Sequence, residues 1–284
     1  MNRHASRAPH AYVPFGATDV PVAAVVLARR SGSDAMLGMA ARGISGQTSR
    51  MSTEWHVDEL AFAGDEHLDA AFVAAYDAKQ QTDPAEDVQT LLDLDLGVGG
   101  TTTVVDLGCG TGTFALAIAR HVGRVVAVDV SPAMVAHLRQ RVAAHGPSNV
   151  SVVEAGFMSY RHDGAPADVV YTRNALHQIP DFHKGVALAR IAAMLRPGGT
   201  LFLRDLVYDF EPGEVEEAIP AWLAGAVVPP APGYSAEDLA LHVRTEHSTY
   251  RFCLEALLAH SGFAVREATF RRRVYARYLC ERSR

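Results

Sequence analysis

The sequence is poor in three things, and each shortage excludes a class of protein. Cysteine is scarce: Cys109, Cys253 and Cys280 are the three in 284 residues, odd in number and scattered. That excludes a disulfide framework and fits a reducing compartment, so a cytoplasmic location is expected. Excess positive charge is missing. The formal net charge is −6, which gives no global attraction to nucleic acid or to an anionic membrane. Long apolar runs are lacking too. None reaches the roughly 18 residues of a membrane span, and the longest early one, Val20 to Ala28, contains Pro21 and ends at Arg29-Arg30. Neither a nucleic-acid nor a membrane partner is therefore expected. What is plentiful is hydrophobic side chain, 49% of the residues, enough for a sizeable core in one large domain or two small ones.

The first fifty residues lack lysine and glutamate altogether. Six arginines (3, 7, 29, 30, 42, 50) against two aspartates (19, 34) leave a local charge of +4. An Arg-rich, acid-poor leader is compatible with a transit peptide, with a disordered tail, or with an upstream start codon ahead of a natural start at Met51. The expected division is a disordered or mis-assigned extension over 1–50 and one domain over 51–284.

From Met51 on, periodicity changes twice. "HLDAAFVAAYDAKQ" (67–80) has apolar residues at helical spacing, with Leu68, Phe72, Ala75 and Tyr76 on one side. "DPAEDVQTLLDL" offers Asp83 as N-cap and Pro84 as first helical residue. Short β-branched runs then alternate with helical ones. The strand-like runs are "TTTVVDL", "RVVAVDV", "VSVVEAG", "ADVVYTR" and "TLFLRDLVY". Between them lie "TFALAIARHV", a helix opening at Ser131-Pro132 and stopping at Gly146, and one closed by Pro197-Gly198-Gly199. Such alternation implies βαβ units and a parallel sheet with helices on both faces. After Tyr208 a helical, Pro-rich stretch runs from 211 to 260, followed by two strand-like runs close enough to pair antiparallel. No internal repeat is visible.

The chemistry is concentrated in "VVDLGCGTGTF", Val104 to Phe114. A strand, a glycine-rich turn and a helix let backbone approach a ligand closely and aim helix N–H groups at it. No Lys follows the turn, so a phosphate-binding P-loop fails. A nicotinamide-dinucleotide fingerprint needs a third glycine where Thr113 stands. The sequence offers instead G-x-G-x-G with Asp106 two residues before the first glycine, and Asp129 at the end of the next strand. A carboxylate in that second place suits a ribose diol.

These residues resemble the class I S-adenosylmethionine-dependent methyltransferases. "VVDLGCGTGTF" looks like that family's first motif and "VVAVDVSPAMV" like its second. "ADVVYTRNALHQIPD" and "LRPGGTLFLRD" resemble the segments around strands four and five, and the terminal strand pair matches in layout. The resemblance implies a Rossmann-like, seven-stranded, mostly parallel sheet. Helices would cover both faces, the C-terminal strand would be antiparallel, and a helical lid at about 211–260 would follow strand five. It implies S-adenosyl-L-methionine as cofactor. Asp106 with Gly108, Cys109 and Gly110 would hold the methionine end, Asp129 the ribose, and Val130, Gly156 and Phe157 the adenine. Asn174 would line the sulfonium region, and Tyr76 would either close over the cofactor or pack in the core. The family often has an acid where Gly156 stands, so recognition of the amino group there is expected from backbone.

For the acceptor, an amino-methylating DNA motif is absent after strand four, where Thr172-Arg173-Asn174-Ala175 stands. The same residues offer no carboxylate for a catechol-type metal site, and no metal is expected. The expectation is methyl transfer to a small organic molecule by a monomer or homodimer, with His177, Asp205, His247 and Tyr250 as catalytic candidates. Glu246 and Arg244 are expected to form a solvated pair. Two other readings stay open: cofactor binding without methyl transfer, and methylation of a protein side chain.

Overall fold

Alternating Val residues dictate the centre of the sheet. In Val104–Leu107 and Val125–Val128 every side chain is buried, and successive residues join opposite cores. That is the signature of strands covered on both faces. The computed structural model describes residues 57–80, 83–94, 97–228 and 233–283, all in the second of two units, Trp55–Arg284. The expected extension over 1–50 lies outside the described residues.

The strands are β1 (Thr103–Leu107), β2 (Arg124–Asp129), β3 (Val150–Glu154), β4 (Ala167–Arg173), β5 (Leu195–Tyr208), β6 (Thr249–Tyr250), β7 (Phe263–Arg271) and β8 (Tyr275–Arg282). The helices are α1 (Ala70–Gln80), α2 (Ala85–Asp93), α3 (Thr113–Ile118), α4 (Pro132–His145), α5 (Asp181–Met194), α6 (Val215–Leu223), α7 (Ala236–Thr245) and α8 (Arg251–His260). The sheet runs β3-β2-β1-β4-β5-β8-β7. Its first five strands are parallel, and β8 lies antiparallel to both β5 and β7. The two-residue β6 adds an eighth strand, parallel to the end of β5. Among the described residues no helix is long and apolar enough to cross a membrane.

One core lies between the sheet and α5 and α8, with Leu188, Ile191, Leu254 and Leu258. The other lies under α2, α3 and α4, with Leu91, Ile118 and Leu138. Local chemistry sets the helix ends. Ser131 Oγ accepts the Met134 N–H at 3.1 Å as the N-cap of α4. Asn149 closes α3 by donating its amide to the Ala119 and Val122 carbonyls, at 2.9 and 2.8 Å. Asp87 on α2, fully buried, accepts from the Tyr171 hydroxyl at 2.6 Å, from Arg173 at 2.9 Å and from Arg204. That group ties α2 across β4 and β5.

The stretch expected as one insertion over 211–260 divides in two. Helices α6 and α7 share a third core with Leu206, Phe210, Trp222 and Val274. Helix α8 is instead the crossover that leads into β7, because Leu254 and Leu258 belong to the main core. The apolar side expected for 67–80 also differs. Val73 is the buried residue of α1, while Leu68 and Ala75 are exposed. Phe72 and Tyr76 instead join a ring cluster with His67.

Candidate active site

The glycine turn follows β1 at the C-terminal edge of the parallel strands. Gly108, Gly110 and Gly112 all have left-handed φ, at +72°, +53° and +79°. Two of them are forced further by neighbours. A Cβ on Gly108 would stand 2.4 Å from the Cβ of Ala175, and one on Gly112 would stand 2.2 Å from Leu138. Gly110 has open space instead, its nearest neighbour being the Tyr76 ring at 3.8 Å. The turn is strapped to β2. The Gly108 and Cys109 N–H groups donate to the Val128 carbonyl at 2.8 and 3.0 Å. Asp129 accepts the Gly110 N–H on Oδ2 and the Ser131 N–H on Oδ1, both at 2.8 Å.

This turn opens on a cleft of about 720 Å³. Gly108, Gly110, Asp129, Val130, Gly156, Phe157 and Asn174 all line it, as does Tyr76. An adjoining recess of about 550 Å³ shares Tyr76, Gly108, Gly110 and Asn174 and adds Asp106 and Cys109. Every residue expected at a cofactor thus lines one or the other of these two adjoining hollows. Asn174 adopts φ 51° there, a left-handed conformation that Asn tolerates better than most residues.

The two acids differ in their bonding. Asp129 is buried and holds one N–H on each oxygen, which leaves a lone pair apiece for a diol. Asp106 is buried, and among the described residues its Oδ2 has no hydrogen-bond partner. Burial first, then the nearby charge of Asp129, pushes the Asp106 carboxyl well above the usual range. Burial likewise raises Asp129, against the Ser131 and Gly110 N–H bonds, and raises the Cys109 thiol far up. A cation at Asp106 and hydroxyls at Asp129 would fit these groups.

Helix α1 covers the turn. Asp77 accepts from the Thr111 hydroxyl and pairs with Arg141 at 3.1 Å, and Arg141 also donates to the Thr111 carbonyl at 2.9 Å. The next residue towards the N-terminus is Tyr76, which these bonds set against Gly110. At the end of α1, Gln80 Nε2 donates to the hydroxyl of Tyr234, so helix and insertion meet beside the recess.

The four expected catalytic residues are placed otherwise: His177, Asp205, His247 and Tyr250 do not line the cleft or the recess. His177 is buried, with Nδ1 on Asp205 and Nε2 2.8 Å from Glu246. Asp205 also accepts the His177 N–H at 3.0 Å. Glu246 pairs with His242 Nδ1 at 2.9 Å, and His242 Nε2 bonds Ser248 at 2.7 Å. Burial opposes a charge on His177, but the carboxylates of Asp205 and Glu246 outweigh it and hold it up at about 9. Burial also opposes ionisation of Glu246, yet its bonds from the two histidines hold it well below the usual carboxylate range. Both ring nitrogens of His177 thus face carboxylates. His247 contributes its backbone, donating N–H to the His177 carbonyl at 2.9 Å and accepting from Lys184. Tyr250 packs among Tyr208, Phe210 and Phe252.

One expected pairing therefore fails. Glu246 is the central acceptor of a buried network and not a solvated partner of Arg244, which pairs with exposed Glu237 at 2.8 Å. His177, His242 and Glu246 offer ligand atoms within 4.8 Å of one another, but those atoms are engaged with each other. Glu59 was missed altogether. It enters the cleft from the short helical turn Glu59–Phe62, buried, with its carboxylate against Gly156.

Residues 104–199 match the family model described as a methyltransferase domain. The chain is similar to the demethylmenaquinone methyltransferase of Shouchella clausii, 31% identical over 115 residues, 39% of this chain and 47% of that protein. It is also similar to the cypemycin N-terminal methyltransferase of a Streptomyces species, 37% identical over 102 residues, 36% of this chain and 40% of that one. The chain spans about half the length of the curated relatives it matches. In fold it resembles the magnesium protoporphyrin IX methyltransferase of Synechocystis PCC 6803, solved with bound S-adenosylmethionine. That match has TM-score 0.53 and 16% identity, covering 81% of this chain and all of that one. Residues 104–199 thus match a methyltransferase domain, and in fold and motif the chain is similar to the class I S-adenosylmethionine-dependent methyltransferases.

Proposed function

We propose that the cleft binds S-adenosylmethionine and that the domain transfers its methyl group to a small organic acceptor. One observation carries the reading above all: the unpartnered, buried Asp106 Oδ2 lies across the glycine turn from Asp129. Such an oxygen is costly to bury alone and is matched by the ammonium of a methionine moiety. Asp129 accepts the ribose hydroxyls, and Val130 and Phe157 flank the base. The bare backbone of Gly108 and Gly110 admits the ligand at van der Waals distance.

When bound, S-adenosylmethionine supplies a sulfonium methyl that a nucleophile displaces in line, leaving S-adenosylhomocysteine. What the chain provides is alignment and exclusion of water. Tyr76, held by its neighbour Asp77, closes the cleft over the turn. The recess beyond Asp106, bounded by Gln80, Pro84 and Arg173, receives the acceptor, with Tyr234 of the insertion at its edge. His177, Asp205 and the backbone of His247 anchor the insertion to the sheet, and Tyr250 packs its base. Thr172 and Arg173 at the end of β4 offer no carboxylate ligand to a metal there. The acceptors named for the relatives are a quinone precursor and a peptide N-terminus. They differ enough that this chain's own insertion sets the choice.

Calorimetric titration with S-adenosylmethionine and, separately, NADH tests the binding half. Micromolar affinity for the first and none for the second is expected. Release of S-adenosylhomocysteine with a panel of small acceptors tests the transfer. Tight binding with no turnover on any acceptor would leave a cofactor-binding protein instead.

A further inference from the structure

We infer that Glu59 reads the 6-amino group of adenine, making the segment before α1 a specificity element of the cofactor site. The inference rests on the cofactor reading above and adds a residue to it. Glu59 is 9% exposed and lines the cleft. Its Oε2 is fixed, accepting the Met158 N–H at 2.9 Å with Ser159 Oγ at 3.5 Å. Among the described residues its Oε1 has no hydrogen-bond partner. A buried carboxylate oxygen held by its twin and left bare needs a donor.

The carboxylate also explains Gly156. A Cβ at that position would stand 2.5 Å from both Cδ and Oε1 of Glu59. No other residue fits at 156 while Glu59 occupies its place. The acid that the loop after β3 lacks is therefore supplied from about a hundred residues earlier in the chain, as the Glu59 to Met158 bond records.

The donor's chemistry follows from the surroundings. Val130, Met134, Phe157 and Ile179 line the same cleft and make flat apolar walls for a purine. Asp129, which takes the ribose, stands at the end of the neighbouring strand. A 6-aminopurine presents an N–H donor to Oε1. A 6-oxopurine presents an acceptor, which would set two oxygens against each other with neither satisfied. Burial pushes the Glu59 carboxyl up while the backbone N–H groups of Met158, Phe157 and Ser159 pull it down. A donor on Oε1 would add to that pull.

The test is discrimination between S-adenosylhomocysteine and S-inosylhomocysteine, titrated by calorimetry into the full chain. The unaltered protein should prefer the adenosyl compound by roughly tenfold to a hundredfold. Glu59→Gln can turn an amide N–H toward a 6-oxo group, so its preference should fall to within about threefold or reverse. Gly156→Ala should do the same from the other side, by evicting the carboxylate without removing it. The preference is a ratio within one protein sample, so a smaller folded fraction does not move it. If S-adenosylhomocysteine binds but the ratio is near one in the unaltered chain, or unchanged in Glu59→Gln, the role of Glu59 is overturned and the cofactor reading stands. If neither compound binds the unaltered chain, the cofactor reading falls and this inference with it.

Discussion

Asp106 carries its charge state into ligand binding. In the free protein burial, then Asp129, holds its carboxyl well above the usual range. A cationic group brought to the bare Oδ2 favours the ionised form and lowers that pKa. Binding should therefore release a proton, and affinity should rise with pH until the free-state pKa is passed. Titrations in two buffers of different ionisation enthalpy measure the release directly; a heat independent of buffer would mean that no cation meets Asp106. Asp106→Asn should weaken binding by on the order of 1–3 kcal/mol and abolish the buffer dependence. Asp129→Ala should cost about 1.5–3 kcal/mol of cofactor affinity, since it removes the charge-assisted bonds to the diol; unchanged affinity would sink the ribose assignment. Both acids were legible in the sequence because each ends a strand and the glycines lie between them. Glu59 and Glu246 were not. Their partners, Met158 and His177, are remote in sequence, and a glutamate on a short turn or beside Arg244 looks like any solvated one.

At the level of elements, the insertion is tied to the sheet by a network of charged groups as well as by its own apolar core. Glu246 and His242 come from the end of α7, and His177 and Asp205 from the ends of β4 and β5. The sign of the pH dependence follows from His177, raised from 6.5 to about 9. A group whose folded pKa is raised stabilises the fold fully below its unfolded value and loses that effect as pH climbs through the folded one. Stability should thus fall between pH 6.5 and about 9. Glu246, depressed, gives the opposite limb, losing its contribution as acid is added below the ordinary carboxylate range. Hydrogen exchange of 236–250 against pH should show the alkaline loosening while β1 and β2 stay protected. Glu246→Gln should flatten that profile and lower stability by on the order of 1–3 kcal/mol. Uniform exchange across all strands would mean that the network does not anchor the insertion. Sequence patterning found the helices through their caps, as Ser131 does for α4, but it could not tell α8 from the insertion. An amphipathic helix shows that it has a partner and not which one; α8 found the main core through Leu254 and Leu258. Likewise α1 turned Phe72 and Tyr76 toward the ring of His67 and buried Val73, because its neighbour is a cleft as well as a core.

For the whole molecule, strand order decides where the site must be. With β1 central, successive crossovers run outward to β2 and β3 on one side and to β4 and β5 on the other. The loops after β1 and β4 therefore part at the strand ends, and the crevice between them receives the ligand. Gly108 on one loop and Asn174 on the other face it. This much followed from alternation of β-branched and helical runs, since right-handed crossovers leave little topological choice. The roof did not follow, because it comes from outside the alternating region: Glu59, His67 and Tyr76 all precede β1. Truncation tests that division of labour. The lining of the cleft runs from Glu59 to Ile179, so a chain beginning at Met51 retains all of it and should bind S-adenosylhomocysteine within about twofold of the full protein. A chain beginning at Asp69 keeps Tyr76 and every strand but loses Glu59 and His67. It should still melt cooperatively, since both sheet cores are intact, yet bind at least roughly tenfold more weakly. Equal affinity in the two truncated chains would put the adenine contacts wholly on the loops of the sheet, and a large loss already at Met51 would place part of the site in the first fifty residues.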